Sequence, residues 1–386
     1  MQFKERERVL SIAAAALAAV LALTLTACGG GGTVAGGRDT VTTADVSGSV
    51  KGTLTISQWP FYIDPGKNGT VAQFENDMGV NVNYIEDIND NNQFFGKIQP
   101  LLDQGQSGGR SMITLSDWLA AQMYDLGYLE KLDYSKLPNV KKNLIPALRH
   151  PKADPQRAFT VPWQSGMTGL IVNTDTVSGV NSICDLFDPK YKGRVDMLEE
   201  MRDSVPMTLK CMGIDPDKAT KAQWLAAVDK IKKAADDGQI RRFTGNDYTE
   251  DLKQGNVDLV LGWSGDAQLL AADTGNPFKF VMPKEGCMLW STSMEIPVGA
   301  PNAAAAEAWI NYVYDPKVQA DIARYVNYVT PVRGVKQIFE KTDPELAKSQ
   351  LIFPTKQFTR NCTFEPVLGG KMGQEITKAW ANVITG

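Results

Sequence analysis

Two long extended runs, far apart in the chain, constrain the fold more than any other feature. "AFTVPWQSGMTGLIVNTD" covers 158–175 and "CMLWSTSMEIP" covers 287–297. Each reads as extended chain rather than helix, and strands and helices alternate on both sides of each. The first run therefore crosses a gap to a second α/β lobe, and the second crosses back. Two α/β lobes joined in this way leave a cleft between them. Such interlobe clefts are where small molecules bind, and hinge closure on the ligand is the expected motion. A length of 386 residues suits two lobes better than one core.

The local pattern supports this fold class. "GTLTISQW" is a strand with Leu54 and Ile56 on one face. "NGTVAQFENDMG" places Val71, Phe74 and Met78 at helical spacing, with Gly79 as a stop. "VNVNYIED" then alternates as a second strand, giving a βαβ opening. A helix carrying Phe94, Phe95, Ile98, Leu101 and Leu102 precedes the strand "MITL", and "SDWLAAQMYDLG" starts on Ser116 or Asp117 and ends at Gly127. Between the two crossings come strand "RVDML", helices in "SVPMTLKCMG" and "AQWLAAVDKIKKAADDG", strand "VDLVLGW", helix "DAQLLAAD" and strand "FKFVMP". Further helices follow the return crossing, the last in "KMGQEITKAWANVITG".

Several function classes drop out. The net charge of -4 gives no basic face for nucleic acid. A single histidine, His150, rules out a multi-histidine metal site and reads as a solvated loop residue. No GxGxxG joins a strand to a helix and no GxxxxGK[ST] is present, so no nucleotide cofactor is indicated.

The start of the chain reads as a targeting segment. Lys4, Arg6 and Arg8 precede an apolar run from Val9 to Leu25 that ends in "LTAC". "LTAC" resembles the bacterial lipobox, in which the cysteine, here Cys28, receives a diacylglyceryl group. Residues 1–27 are thus expected as a lipoprotein signal peptide, and the Gly/Ser/Thr-rich stretch 28–52 as a flexible tether. The body would be held by lipid at the outer, extracytoplasmic face of a membrane. The four other cysteines, Cys184, Cys211, Cys287 and Cys362, form no CxxC; outside the cytoplasm they read as two disulfides in any of three pairings, or as four buried thiols.

The residues near the ends of the apolar runs admit two readings each. Trp59 and Tyr62 follow the first strand, either as core and turn or as a wall at a strand C-terminus. Ser116 is a helix cap or a polar site residue. Glu200 and Asp203, at i and i+3, share one helix face and read most simply as a solvated, capping acidic turn. In "GWSGDAQ", Trp263 ends a buried strand and Asp266 opens a helix, so core and cap are the plain readings.

A resemblance shifts these readings. "SQWPFYIDPG", "YLEKLDYSKLPN", "FTVPWQSGMTGLIVNTD", "LFDPKYKGRV", "LKQGNVDLVLGWSGDA", "MPKEGCMLWSTSMEIP", "YDPKVQADIARYV" and "NYVTP", in this order, resemble the spermidine/putrescine-binding family of bacterial extracellular solute-binding proteins. The resemblance implies a two-lobe periplasmic-binding-protein-like fold, with 53–166 and 290–336 in one lobe and 167–289 and 337–386 in the other. It implies a non-enzymatic receptor that hands a small cationic amine to the permease of an ABC importer. It also implies a ligand site of Trp59, Tyr62, Ser116, Trp118, Glu200, Asp203, Trp263, Asp266, Trp290 and Tyr328: acids for the ammonium groups, aromatic faces for the methylenes. Two positions depart from the family. Thr292 stands where an aspartate is common, and Glu365 aligns with a frequent glutamine. The same alignment brings Cys287 close to Cys362, and Cys287–Cys362 and Cys184–Cys211 are the disulfides expected. A receptor for a sugar or another organic amine, using the same aromatics, is the alternative; a glycosidase using Glu200 or Asp203 with Asp266 is a third reading.

Overall fold

A computed structural model describes residues 43–48, 50–151, 154–275, 277–366 and 368–385. The signal peptide and Cys28 lie outside the described residues. Ten strands among them form one sheet: β1 (Gly52–Gln58), β2 (Val80–Glu86), β3 (Met112–Ser116), β4 (Val161–Asn173), β5 (Val195–Leu198), β6 (Ile240–Thr244), β7 (Leu259–Trp263), β8 (Phe278–Val281), β9 (Met288–Glu295) and β10 (Thr363–Phe364). The order is β2-β1-β3-β9-β4-β7-β5-β6, with β8 on β4 and β10 on β9.

Two cores share this sheet. The first gathers Leu54, Ile56, Phe74, Ile113, Leu119, Trp163, Trp309 and Ile322. The second gathers Leu170, Met197, Val205, Trp224, Leu261, Leu270 and Trp380. β4 begins in the first core with Val161 and Trp163 and ends in the second with Leu170, Ile171 and Val172. β9 runs antiparallel to it, Met288 in the second core and Trp290 and Met294 in the first. These are the two extended runs, and they cross between the lobes side by side.

Each lobe follows the same logic. β1 pairs in parallel with β2 and β3, and β5 pairs in parallel with β6 and β7. Parallel strands need crossover helices that cover both sheet faces, so in β1 even Ser57 and Gln58 are buried. The helices Thr70–Met78 and Lys221–Asp236 supply such crossovers, the latter started by the reciprocal Thr220–Gln223 capping box. Cys184 is bonded to Cys211, and Cys287 to Cys362. The first bond ties Ile183–Phe187 to the end of helix Met201–Cys211, and the second ties the start of β9 to the start of β10.

Two boundaries differ from expectation. The stretch expected as tether up to 52 is already docked from Thr43: Ala44 is buried in the first core and donates its N–H to the Lys131 carbonyl at 2.9 Å. Residues after 336 do not all join the second lobe. Phe339, Ala347 and Ile352 pack in the first core, because helix Val335–Thr342 turns its apolar face onto Pro316–Val326, while Ile376, Trp380 and Val383 of the last helix pack in the second.

Candidate functional site

The C-terminal ends of the parallel strands in both lobes face one cleft, the place where open α/β sheets bind ligands. Trp59 and Tyr62 follow β1, Ser116 ends β3, Glu200 follows β5, Asn246 follows β6 and Trp263 ends β7. Together with Asp203, Asp266, Trp290, Thr292, Tyr328 and Glu365 they line one pocket. All residues expected at the site are on this wall except Trp118.

The aromatic lining forms two sets of ring contacts. Trp59 meets Trp263 edge to face at 5.7 Å between ring centroids, Tyr62 meets Tyr328 at 5.4 Å, and Trp290 meets Tyr328 at 5.0 Å. Trp59 and Tyr62 belong to the first core, while Trp263 packs against both. Trp59 is oriented by donating its indole N–H to the Thr114 carbonyl at 3.0 Å. Glycine permits two of these contacts. A β-carbon on Gly166 would lie 2.2 Å from Cζ2 of Trp290, and one on Gly265 would lie 2.8 Å from the Tyr328 ring.

One group of acids surrounds the start of helix Met201–Cys211. Glu200 is not inside the helix as the i, i+3 reading implied. It is the N-cap, with ψ 110°, and its Oε1 accepts the N–H of Arg202 at 3.0 Å. Its Oε2 accepts from Asn91 Nδ2 across the cleft at 3.3 Å. Asp203, 1% exposed, accepts the indole N–H of Trp263 on Oδ2 at 3.1 Å. Its Oδ1 has no partner at hydrogen-bonding geometry, and neither has the Thr168 hydroxyl. Burial pushes Glu200 up to about 7 and Asp203 up to about 6, against the opposing pull of Arg202 on the first and of Thr168 and Trp263 on the second. Burial, with Asp203 and Glu200 beside it, raises the Glu365 carboxyl well above the usual range.

Asp266 has its own partners. Oδ1 accepts from the Tyr328 hydroxyl at 2.6 Å; Oδ2 accepts from the Tyr248 hydroxyl at 2.6 Å and from Asn246 Nδ2 at 3.0 Å. A carboxylate has about four lone-pair directions, so one remains for a ligand. Its side chain does not cap the helix it opens, and Gly265 takes the N-cap position. Burial still raises its pKa, opposed by these three donors. Thr292 accepts or donates a bond with the Tyr62 hydroxyl at 3.1 Å and donates to the Gln164 carbonyl at 3.3 Å. The neutral position is therefore satisfied by protein groups. Ser116 is an N-cap without a capping side-chain bond; its hydroxyl instead accepts from Asn91 Nδ2 at 3.0 Å.

Trp118 departs from expectation because its ring is covered. The Arg202 guanidinium carbon sits 3.5 Å from its centroid. Pro60, Asn91 and Asn246 line the cavity but were not anticipated. Asn246 sits just past a strand end and was findable on that rule; Asn91 sits in the run "NDNNQ", where nothing distinguishes one amide from the next.

The sequence family described as bacterial extracellular solute-binding protein matches residues 69–354. The spermidine/putrescine-binding periplasmic protein of Escherichia coli K12 is 28% identical over 319 residues, covering 82% of this chain and 87% of its own length. A putrescine-binding periplasmic protein of the same strain is 28% identical over 375 residues, covering 92% and 97%. Among solved structures, a putative spermidine/putrescine ABC transporter protein from Listeria monocytogenes superposes with a TM-score of 0.74 at 26% identity, over 86% of this chain and 98% of that one.

Proposed function

The chain belongs to the bacterial extracellular solute-binding proteins, and from that premise we propose that it captures a small polyamine and delivers it to the permease of an ABC importer. The observation that carries the amine reading is Asp203: a buried carboxylate at the wall of an aromatic-lined cavity, with the Trp263 indole and the Thr168 hydroxyl as neutral neighbours and no ion pair among the described residues. A buried acid without a cation is costly, and an ammonium donating to it removes that cost. Glu200, Glu365 and the free direction of Asp266 offer further acceptors. The faces of Trp59, Trp263 and Trp290 suit the methylene chain and attract the cationic ends, by about 0.5–2 kcal/mol each. The relatives' names point to the same ligand class. The reading includes anchorage by lipid on Cys28 at the extracytoplasmic face, supported by "LTAC" after the apolar run.

Titration calorimetry with putrescine and spermidine tests the amine. Binding of at least one, weakened about 30-fold by Asp203→Asn, is the expected result, since a charge-assisted hydrogen bond contributes about 2 kcal/mol. Absence of heat and of any melting shift with both amines would exclude it.

A further inference from the structure

Glu365 reaches the pocket on a short segment that backbone pairing alone holds weakly. β4 covers one edge of β9, so β3 and β10 share the other: β3 pairs with Thr292–Glu295, and β10 with Met288 and Leu289. Glu365 follows β10 and donates its N–H to the Leu289 carbonyl at 2.9 Å. From there it lines the pocket together with Trp290 and Ser116. β10 is two residues long, and pairing this short contributes little stability by itself. Phe364 is 64% exposed, so burial adds little more. Asp203 and Glu200 also oppose a charge on Glu365.

The remaining ties lie just before β10. The Thr363 N–H bonds the Cys287 carbonyl at 3.1 Å. Lys210 Nζ donates to the Asn361 carbonyl at 2.8 Å, and Asn361 Nδ2 donates to the Lys284 carbonyl at 3.3 Å. The covalent tie is Cys287–Cys362, at the head of both paired strands. It closes a sequence separation of 75 residues, and a cross-link of that span removes much freedom from the chain. The other disulfide has no such place. Cys184–Cys211 joins Ile183–Phe187 to the far end of helix Met201–Cys211, and neither cysteine adjoins a pocket residue in the sequence.

We propose that Cys287 and Cys362 are positioning residues for the ligand site: their disulfide holds Glu365 on the pocket wall, and its reduction by a dithiol withdraws the carboxyl and weakens ligand binding. Cys287 is fully buried and Cys362 is partly exposed, so the reagent meets the Cys362 sulfur. A reagent thiolate bonds to Cys362 Sγ, the S–S bond breaks, and Cys287 leaves as a thiolate that takes up a proton. The second reagent thiol then displaces Cys362, which leaves as a thiol while the reagent becomes a disulfide. Two electrons and two protons pass from the dithiol to the pair. The segment keeps only its short ladder and the contacts at Asn361.

This inference rests on the amine reading, and one series of titrations separates the two. The Cys184→Ser/Cys211→Ser protein keeps the Cys287–Cys362 bond and isolates it. Putrescine and spermidine are titrated at pH 8 into its oxidised form, after reduction with dithiothreitol and after reoxidation, each with and without Glu365→Ala. Reduction should weaken amine binding about tenfold and reoxidation should restore it, the loss matching that of Glu365→Ala in the oxidised form. With Glu365→Ala in place, oxidised and reduced forms should bind alike, because the group that the bond positions is gone. Amide hydrogen exchange at Thr363 and Glu365 should quicken about tenfold on reduction. Cys287→Ser/Cys362→Ser, which needs no reductant, gives the same comparison if loss of the other bond prevents folding. An affinity unchanged by reduction overturns the inference. So does a loss equally large with and without the Glu365 carboxyl, since that bond would only support the fold. Oxidised protein that binds neither amine removes the amine reading and this inference with it.

Discussion

Glu200 and Asp203 carry the clearest consequence at the scale of single residues. Their ordinary values are 4.5 and 3.8, and in the fold burial lifts them to about 7 and about 6. A carboxyl raised in the folded state contributes stability that is complete below its unfolded pKa and is lost as pH rises through the folded one. Ligand-free protein should therefore melt at a lower temperature at pH 8 than at pH 5 through these two groups. An ammonium ligand acts oppositely, because it binds the ionised acids. Affinity for the amine should rise by on the order of tenfold from pH 5.5 to 8, with protons released on binding between pH 6 and 7. Calorimetry in buffers of different ionisation enthalpy measures that release. A pH-independent affinity would show that these acids do not meet the ligand. Asp266 behaves differently, because two tyrosines and Asn246 already hold it; it is the acid whose role the fold changed most from the expected free acceptor.

At the scale of elements, the crossing strands do more than connect. β4 and β9 pair from Val161–Met294 to Thr168–Met288, and β9 places Trp290 and Thr292 on the pocket wall. Gly166 on β4 faces Trp290 on β9, and the indole lies in the space a side chain would fill. Gly166→Ala should push the Trp290 ring out of the wall, destabilise the fold by about 1–3 kcal/mol as overpacking does, and weaken amine binding about tenfold, although residue 166 itself adds no ligand contact. Thermal melting and calorimetry check both parts; unchanged affinity would mean that Trp290 is not part of the wall the ligand touches.

For the molecule as a whole, several polar groups among the described residues reach across from lobe to lobe. Asn91 donates to Glu200, Asn89 to Asp247 at 3.4 Å, Tyr328 to Asp266, and Arg202 stacks on Trp118. Most of these cross-lobe groups line the cavity or touch its lining, so closing the lobes and completing the site are one event. Asn91 is the link whose side chain also fastens Ser116 in its own lobe. Asn91→Ala should favour the open arrangement. The expected signature is a larger radius of gyration by solution scattering without ligand, and about fivefold weaker amine binding expressed mainly in the off-rate. Equal scattering profiles for the variant and the wild type would show that this link does not hold the lobes together.

The sequence by itself determined the fold class and the two crossings, and it pointed to Trp59 and Tyr62 as a wall. These follow from local rules: strand and helix periods, and the tendency of strand C-termini to carry site residues. The matching of "SQWPFYIDPG", "GWSGDA" and "MLWSTS" to one family supplied the rest. Only the tertiary structure decided how the charges are shared. "LEEMRD" read locally as a capping acidic turn, and Glu200 is indeed the cap, but nothing local says that its arginine stacks on a tryptophan 84 positions earlier in the other lobe, that both acids are buried at the cleft, or that Asp266 is held by Tyr248 and Tyr328. The docking of Ala44 and the return of 337–352 to the first core were equally out of reach. Periodicity is a property of neighbours along the chain. The partners of a buried charge are set by burial and by distance in space, and those exist only once the lobes have come together.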